Sequence, residues 1–286
     1  MFYQKAPYFT GDKIKILKAK DGKFNQQTAQ FFIATMKKTF SSFSWGRSNF
    51  DVNTINSQYI SLPVSDKGWI DFDFIERIVQ CVEQERFEKL RTFLSTTGLN
   101  NYALTKEECR VLDNLGEIDF EVFRVIDLFD VKNTGNILSR DIVENSGETP
   151  YLCASIENNS VSSYISYDKN YLDEGNCIFI GGKTFVVTYQ ENDFYSNDSH
   201  NLILYLKDAN KRNRNIQLFI ATCIIKSLGN KYYWGDSISH KKIQKDSVWL
   251  PAKKHKPDYA TMELIASAIQ KLIIKEVVSY INNFVG

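Results

Sequence analysis

Phe32-Ile33-Ala34-Thr35 recurs as Phe219-Ile220-Ala221-Thr222, an offset of 187 residues. Trp45-Gly46 recurs as Trp234-Gly235 at 189, and Leu62-Pro63 as Leu250-Pro251 at 188. Asp71-Phe72 returns as Asp258-Tyr259, and Glu76 with Ile78 as Glu263 with Ile265, both at 187. Tyr3-Gln4 finds Tyr189-Gln190 at 186. Islands kept in one order, with offsets drifting so little, mark a duplicated unit rather than one continuous design. Residues 2–98 match 188–285, whereas 120–187 have no earlier copy. The chain reads as half a unit followed by a whole one. Either the first unit lost its front half, or that half lies in a longer chain, or it never existed.

Each copy ends in a long amphipathic stretch. From Asp71 to Leu94, Ile75, Ile78, Val79, Val82, Phe87, Leu90 and Leu94 make an apolar stripe between charges. Asp258 to Ile281 repeats it with Met262, Ile265, Ala268, Ile269, Leu272, Ile273, Val277 and Ile281. Asp71 and Asp258 suit N-caps, because a short carboxylate accepts from first-turn amides. Two such helices suit antiparallel coiled-coil pairing. Residues 120–215 carry short β-like runs, Val122–Val131, Tyr164–Ser166, Asn176–Ile180, Thr184–Tyr189 and Asn201–Leu206, divided by Gly- and Asn-rich turns. Asn215–Ser227 reads as a short buried helix, with Asn25–Phe40 as its copy. The expected fold class is α+β: β-rich domains, each followed by a long helix.

Composition excludes several classes. With 43% hydrophobic and 24% charged residues the chain is neither disordered nor fibrous. Its 35 basic and 34 acidic residues leave a net charge of +1, so only local charge points to a partner. Five widely spaced Cys without a CxxC argue against a zinc site or disulfide framework and for a reducing, cytoplasmic setting. Met1 to Lys13 lacks the apolar run of a signal peptide, and no stretch reaches 18 apolar residues, so no membrane partner is expected.

Catalytic signatures are missing. There is no GxGxxG, no Walker loop, no GxSxG, no Asn-Pro-Pro-aromatic box and no HExxH among three His. No catalytic residue, cofactor or metal is expected. Asp130 to Asn136 imitates a calcium loop, but Asp141 stands where a bidentate Glu belongs, and β-like runs flank it.

Local charge is more informative. Residues 231–256 contain Lys231, Lys241, Lys242, Lys245, Lys253, Lys254 and Lys256 against Asp236 and Asp246. Lys5, Lys13, Lys15, Lys18, Lys20 and Lys23 repeat the trend near the N-terminus. Lysines interleaved with Tyr232, Tyr233 and Trp234 suit phosphate contact combined with base contact, or else a solvated face beside core aromatics. Trp45-Gly46-Arg47-Ser48 and Trp234-Gly235-Asp236-Ser237 suit either a buried aromatic anchor at a tight turn or two readers of different bases. Arg suits guanine, and Asp accepts from cytosine N4.

Glu121 to Asp130, Thr149 to Asn159, Glu174 to Ile178, Tyr189-Gln190 through Phe194-Tyr195, Trp234-Gly235 and Leu250-Pro251 stand in one order before a long helix. This order, with the duplication, resembles the specificity subunit of type I restriction–modification systems. The resemblance implies target recognition domains that each read half of a split DNA sequence in the major groove. It also implies two long antiparallel helices that set the spacer and dock methyltransferase subunits, with a restriction subunit in the full complex. The subunit itself would catalyse nothing.

On that basis the chain divides into a partial first recognition domain (1–69), a first spacer helix (70–98), a linker (99–119), a complete second domain (120–256) and a second spacer helix (257–286). The partial first domain departs from the family pattern, and a homodimer would restore two complete readers. The expected double-stranded DNA contacts are Asn158, Asn159, Lys183, Ser196, Asn197, Lys231, Tyr232, Ser237, His240 and Lys241, with Arg47 and Ser48 in the first copy. A stand-alone DNA-binding or regulatory module, an inactive truncated subunit, and a catalytic protein with a divergent site are the alternatives.

Overall fold

The structure is a computed structural model that describes residues 1–12, 14–20, 23–41, 43 and 51–285. It contains two compact units, residues 1–100 with 278–286, and residues 101–277. Among the described residues, no helix is long and apolar enough to cross a membrane.

The first unit is helical. Helix α1 (Gln26–Thr39) starts at Asn25, whose side chain accepts from the Gln27 and Thr28 amides, with Thr28 closing a capping box. A short α2 (Val52–Asn56) follows, capped by Asp51. Helix α3 (Phe72–Thr96) starts at the expected cap, Asp71, which accepts from Phe74 N at 2.9 Å. Helix α1 packs on α3 through buried Ala29, Phe72 and Ile75, and through the Phe32 and Phe72 rings, stacked with centroids 6.1 Å apart. Asn25 Nδ2 also donates to Glu76 Oε1 at 2.8 Å.

The second unit opens with a helix that the sequence pattern does not announce. Residues 99–119 were expected to be a plain linker, but Thr105 and Glu108 form a capping box that starts α4 (Lys106–Asp113). Strand β1 (Phe120–Arg124), a helical turn α5 (Val125–Leu128) and strand β2 (Phe129–Asn133) follow. The run Val122–Val131 is therefore two strands broken by a turn. The calcium-like Asp130 lies in β2, paired with β8, and not in a cation loop.

Next come β3 (Thr149–Leu152), β4 (Val161–Ile165), β5 (Cys177–Ile180), β6 (Val187–Gln190), β7 (Tyr195–Ser196) and β8 (Leu202–Leu206). Helices α6 (Arg214–Leu228) and α7 (His240–Ile243), strands β9 (Ser247–Lys253) and β10 (Lys256–Pro257), and helix α8 (Tyr259–Val285) complete the order. Asp258 accepts from Thr261 N at 3.1 Å at the start of α8, as expected of a cap.

Among the described residues the strands form sheets ordered β1-β9-β10, β2-β8-β5-β6 and β4-β3-β7. Strand β8 runs antiparallel to both β2 and β5 and is buried along its whole length. A strand covered on both faces needs a near-continuous apolar run, and Leu-Ile-Leu-Tyr-Leu supplies it. Helix α6 lays Ile216, Ile220, Ala221, Ile224 and Leu228 on one face of the β8 sheet, against Leu202, Leu204 and Leu206. Ile203 and Tyr205 point to the other face, against Leu152, Cys177, Phe179 and Phe194.

Candidate nucleic-acid interface

Four connections of the second unit converge on one open pocket. It is lined by Cys153, Ala154 and Ser155 after β3, Lys183 and Thr184 between β5 and β6, Asn197, Asp198 and Asn201 before β8, and Trp234 after α6. Close backbone approach sets the geometry. A Cβ at Gly182 would lie 2.3 Å from His200 O, and one at Gly181 would lie 2.6 Å from Ala154 Cβ. Thr184 Oγ1 donates to Ala154 O at 3.0 Å.

Asn201 is the hub. Its buried Oδ1 accepts from Gly182 N at 3.0 Å, while Nδ2 donates to Ser196 Oγ at 3.1 Å and Asn197 Oδ1 at 3.2 Å. Lys183 Nζ lies 3.2 Å from Asp198 Oδ2, and His200 Nδ1 lies 2.7 Å from Asp198 Oδ1. Burial of Asp198 opposes its ionisation. The hydrogen bonds from His200 and Lys183 outweigh it and hold the carboxyl below its usual range.

The structure brings Lys183 and Asn197 together and adds Trp234, whose side chain is 81% exposed at the tip of a turn in which Asp236 N donates to Tyr233 O at 2.9 Å. Of the two readings of Trp234-Gly235, the buried anchor is excluded by that exposure. Tyr233 is exposed as well, and so is Ile156 in the β3–β4 connection.

Asn158 and Asn159 are exposed in that same connection, with φ of +48° and +52°. Asn tolerates this left-handed region better than most residues. Their amides serve the turn: Asn158 Nδ2 donates to Val161 O at 3.0 Å and Asn159 Nδ2 to Tyr189 O at 2.9 Å.

Two expected contacts are corrected. Ser196 is fully buried in β7 under Asn201, and the Tyr232 ring is 2% exposed, packed on Phe185 with centroids 5.5 Å apart. Both side chains are closed off from solvent. Tyr232 Oη donates to Asp246 Oδ2 at 2.6 Å, and burial followed by that carboxylate pushes the phenol pKa up.

The basic cluster is also less free than its composition suggests. Lys231 pairs with buried Asp246, Lys242 with Asp236, and Lys183 with Asp198. Ser237 is half-buried, and its carbonyl accepts from Lys242 Nζ at 2.7 Å. His240 is half-buried, with Nε2 3.2 Å from Val131 O and Nδ1 3.2 Å from Gln244 Nε2. Lys241 is exposed on α7. Arg47 and Ser48 lie outside the described residues.

Sequence reasoning missed Asn201 and Asp198, and nothing local distinguishes a hub Asn from a turn Asn. The signal for Trp234 was present in its recurrence with Gly235. Among the described residues, no group of His, Cys, Asp or Glu could hold a metal ion.

A family model described as the type I restriction modification DNA specificity domain matches residues 1–92 and 117–281. No curated protein matches the chain. Among solved structures, the chain is similar to the S subunit of a type I restriction-modification system from M. genitalium, at 13% identity and a TM-score of 0.44, covering 92% of this chain and 69% of that one. It is also similar to the HsdS subunit from Thermoanaerobacter tengcongensis, at 12% identity and a TM-score of 0.36, covering 78% and 59%. A chain from a structure on complex assembly and conformational transition of the type I R-M system matches at 14% identity and a TM-score of 0.42, covering 88% and 63%. This chain thus spans about three-fifths to two-thirds of the length of those chains. With the family model matched over most of its length, the chain belongs to the type I restriction modification DNA specificity domain family, the DNA-recognising and non-catalytic component of such systems.

Proposed function

We propose that this chain is a specificity subunit whose second unit reads one half of a split duplex sequence in the major groove. The observation that carries this reading is the convergence of Lys183, Asn197 and exposed Trp234 on one pocket, with Asn158 and Asn159 in the connection beside it. Asn pairs bidentately with adenine, and Lys reaches guanine or phosphate. Lys241, exposed on α7, is taken as a phosphate contact, with Ser237 and His240 as further contacts of the same segment.

On the same reading, α3 and α8 form the antiparallel spacer and dock methyltransferase subunits, joined by a restriction subunit in the full complex. Supporting the pairing, Phe87 of α3 and Tyr280 of α8 meet edge to face with centroids 6.0 Å apart within the first unit. A homodimer in the cytoplasm presents two complete readers.

The test is reconstitution with the neighbouring methyltransferase, followed by mapping of methylated adenines. A split two-part motif, or a palindrome read by a dimer, supports the proposal. A purified complex that methylates no defined sequence refutes it.

A further inference from the structure

The first unit carries lysine where the repeat carries core. Helices α1 and α6 correspond, with Asn25 and Asn213 as N-caps at an offset of 188 and Phe32 to Thr35 matching at 187. At either offset, Lys15 falls on Leu202 or Ile203, and Lys18 falls on Tyr205 or Leu206. All four are buried in β8, between β2 and β5. In the first unit, residues 14–18 form no strand, and Lys15 and Lys18 are exposed. Seating two ammonium groups in a strand buried on both faces would cost several kcal/mol each. This segment is therefore not a β8 waiting for its two neighbours, and lysine is also the residue that blunts strand pairing.

The same stretch concentrates charge. Residues 1–41 hold eight Lys against Asp12 and Asp21, in a chain whose net charge is only +1. Lys5, Lys15, Lys18 and Lys20 are exposed. Lys15 acts weakly on Asp51, whose carboxylate is already engaged in capping α2. An exposed lysine segment outside any strand or helix fits a polymer that offers one negative charge per ~1.7 Å of axis, and it needs no base register.

We infer that residues 5–20 are a sequence-independent arm that grips the DNA phosphate backbone, so that the first unit holds DNA and does not read it. The inference rests on the DNA reading proposed above. It is tested with the full chain by measuring dissociation constants against salt concentration. The probes are a duplex selected from a random pool by the wild-type chain, and a scrambled duplex.

Replacing Lys5, Lys15, Lys18 and Lys20 together by Ala is expected to make the slope of log Kobs against log salt shallower by about 3 to 4, at about 0.9 for each phosphate no longer neutralised. Affinity should fall by the same factor on both duplexes, leaving the selected sequence and the melting temperature unchanged. An unchanged slope overturns the arm, and so does a changed selected sequence. The scrambled duplex alone reads the arm, so a wild-type chain that binds DNA but selects no sequence refutes the proposed function and still tests this inference.

Discussion

Glu108 of α4 is 3% exposed and meets Lys271 of α8, with Oε2 and Nζ 2.8 Å apart. Ser267 Oγ donates to the other carboxylate oxygen at 2.6 Å, and Thr105 N donates to Oε2 at 2.7 Å. Burial raises the pKa of this carboxyl, but these donors outweigh it and hold it at about 2. A carboxyl depressed in the folded state contributes stability above its unfolded pKa of about 4.5 and loses it as pH falls toward 2. Melting temperature should therefore drop between pH 5 and pH 3, and less steeply in Glu108→Gln. Lys271→Met, which strands a buried carboxylate, should cost about 3 kcal/mol at pH 7 by chemical denaturation.

Asn201 ties Gly182 to Ser196 and Asn197, so its loss should loosen two connections at once. Asn201→Ala leaves a buried amide and hydroxyl short of a partner, at about 1–3 kcal/mol. Gly182→Ala should be worse, because its Cβ would lie 2.3 Å from the His200 carbonyl oxygen, which is backbone and cannot swing aside. Both variants should weaken sequence-specific DNA binding along with stability. Unchanged denaturation midpoints would refute the role of Asn201 as a hub.

Trp234 and Lys241 are exposed, so removing either side chain should leave stability within about 0.5 kcal/mol. Trp234→Ala should cut affinity for the selected duplex at least tenfold, as removal of an exposed aromatic anchor of an interface does. Lys241→Ala should weaken all duplexes alike and shallow the salt slope by about 0.9. A melting transition shifted by several degrees in either variant would mark it as structural.

Lys231 and Asp246 should behave in the opposite way. Asp246 is buried and accepts from both Lys231 and Tyr232. Asp246→Ala leaves the buried Tyr232 hydroxyl without its acceptor and should destabilise by about 2–4 kcal/mol. Lys231→Ala should destabilise the fold more than it alters the salt dependence of DNA binding. The reverse outcome would restore Lys231 as a phosphate contact.

The architecture was legible where a pattern repeats over many residues. The helix starts at Asp71 and Asp258 and the strand at β8 could be read from spacing and side-chain type, because a capping carboxylate and an unbroken apolar run act through nearby backbone. Helix α4 was overlooked because a Thr and a Glu three apart look like any polar linker until Lys271 arrives to neutralise the Glu. Side-chain type alone did not sort the site: Lys183, Lys231, Tyr232 and Ser196 announced the same polar chemistry, yet both lysines lie in ion pairs and Tyr232 and Ser196 lie in the core, while Asn197 and exposed Trp234 line the pocket.

By itself, the order of residues showed islands that recur in one order at offsets of 186 to 189, the long helices that follow them, and which face of each helix is apolar. Only the tertiary structure decided which lysines are neutralised, which tyrosine is buried and which tryptophan stands in solvent. The reason is range: helix caps and apolar periodicity act over a few residues, whereas Lys183 finds Asp198, and Lys231 finds Asp246, only when distant segments fold against each other.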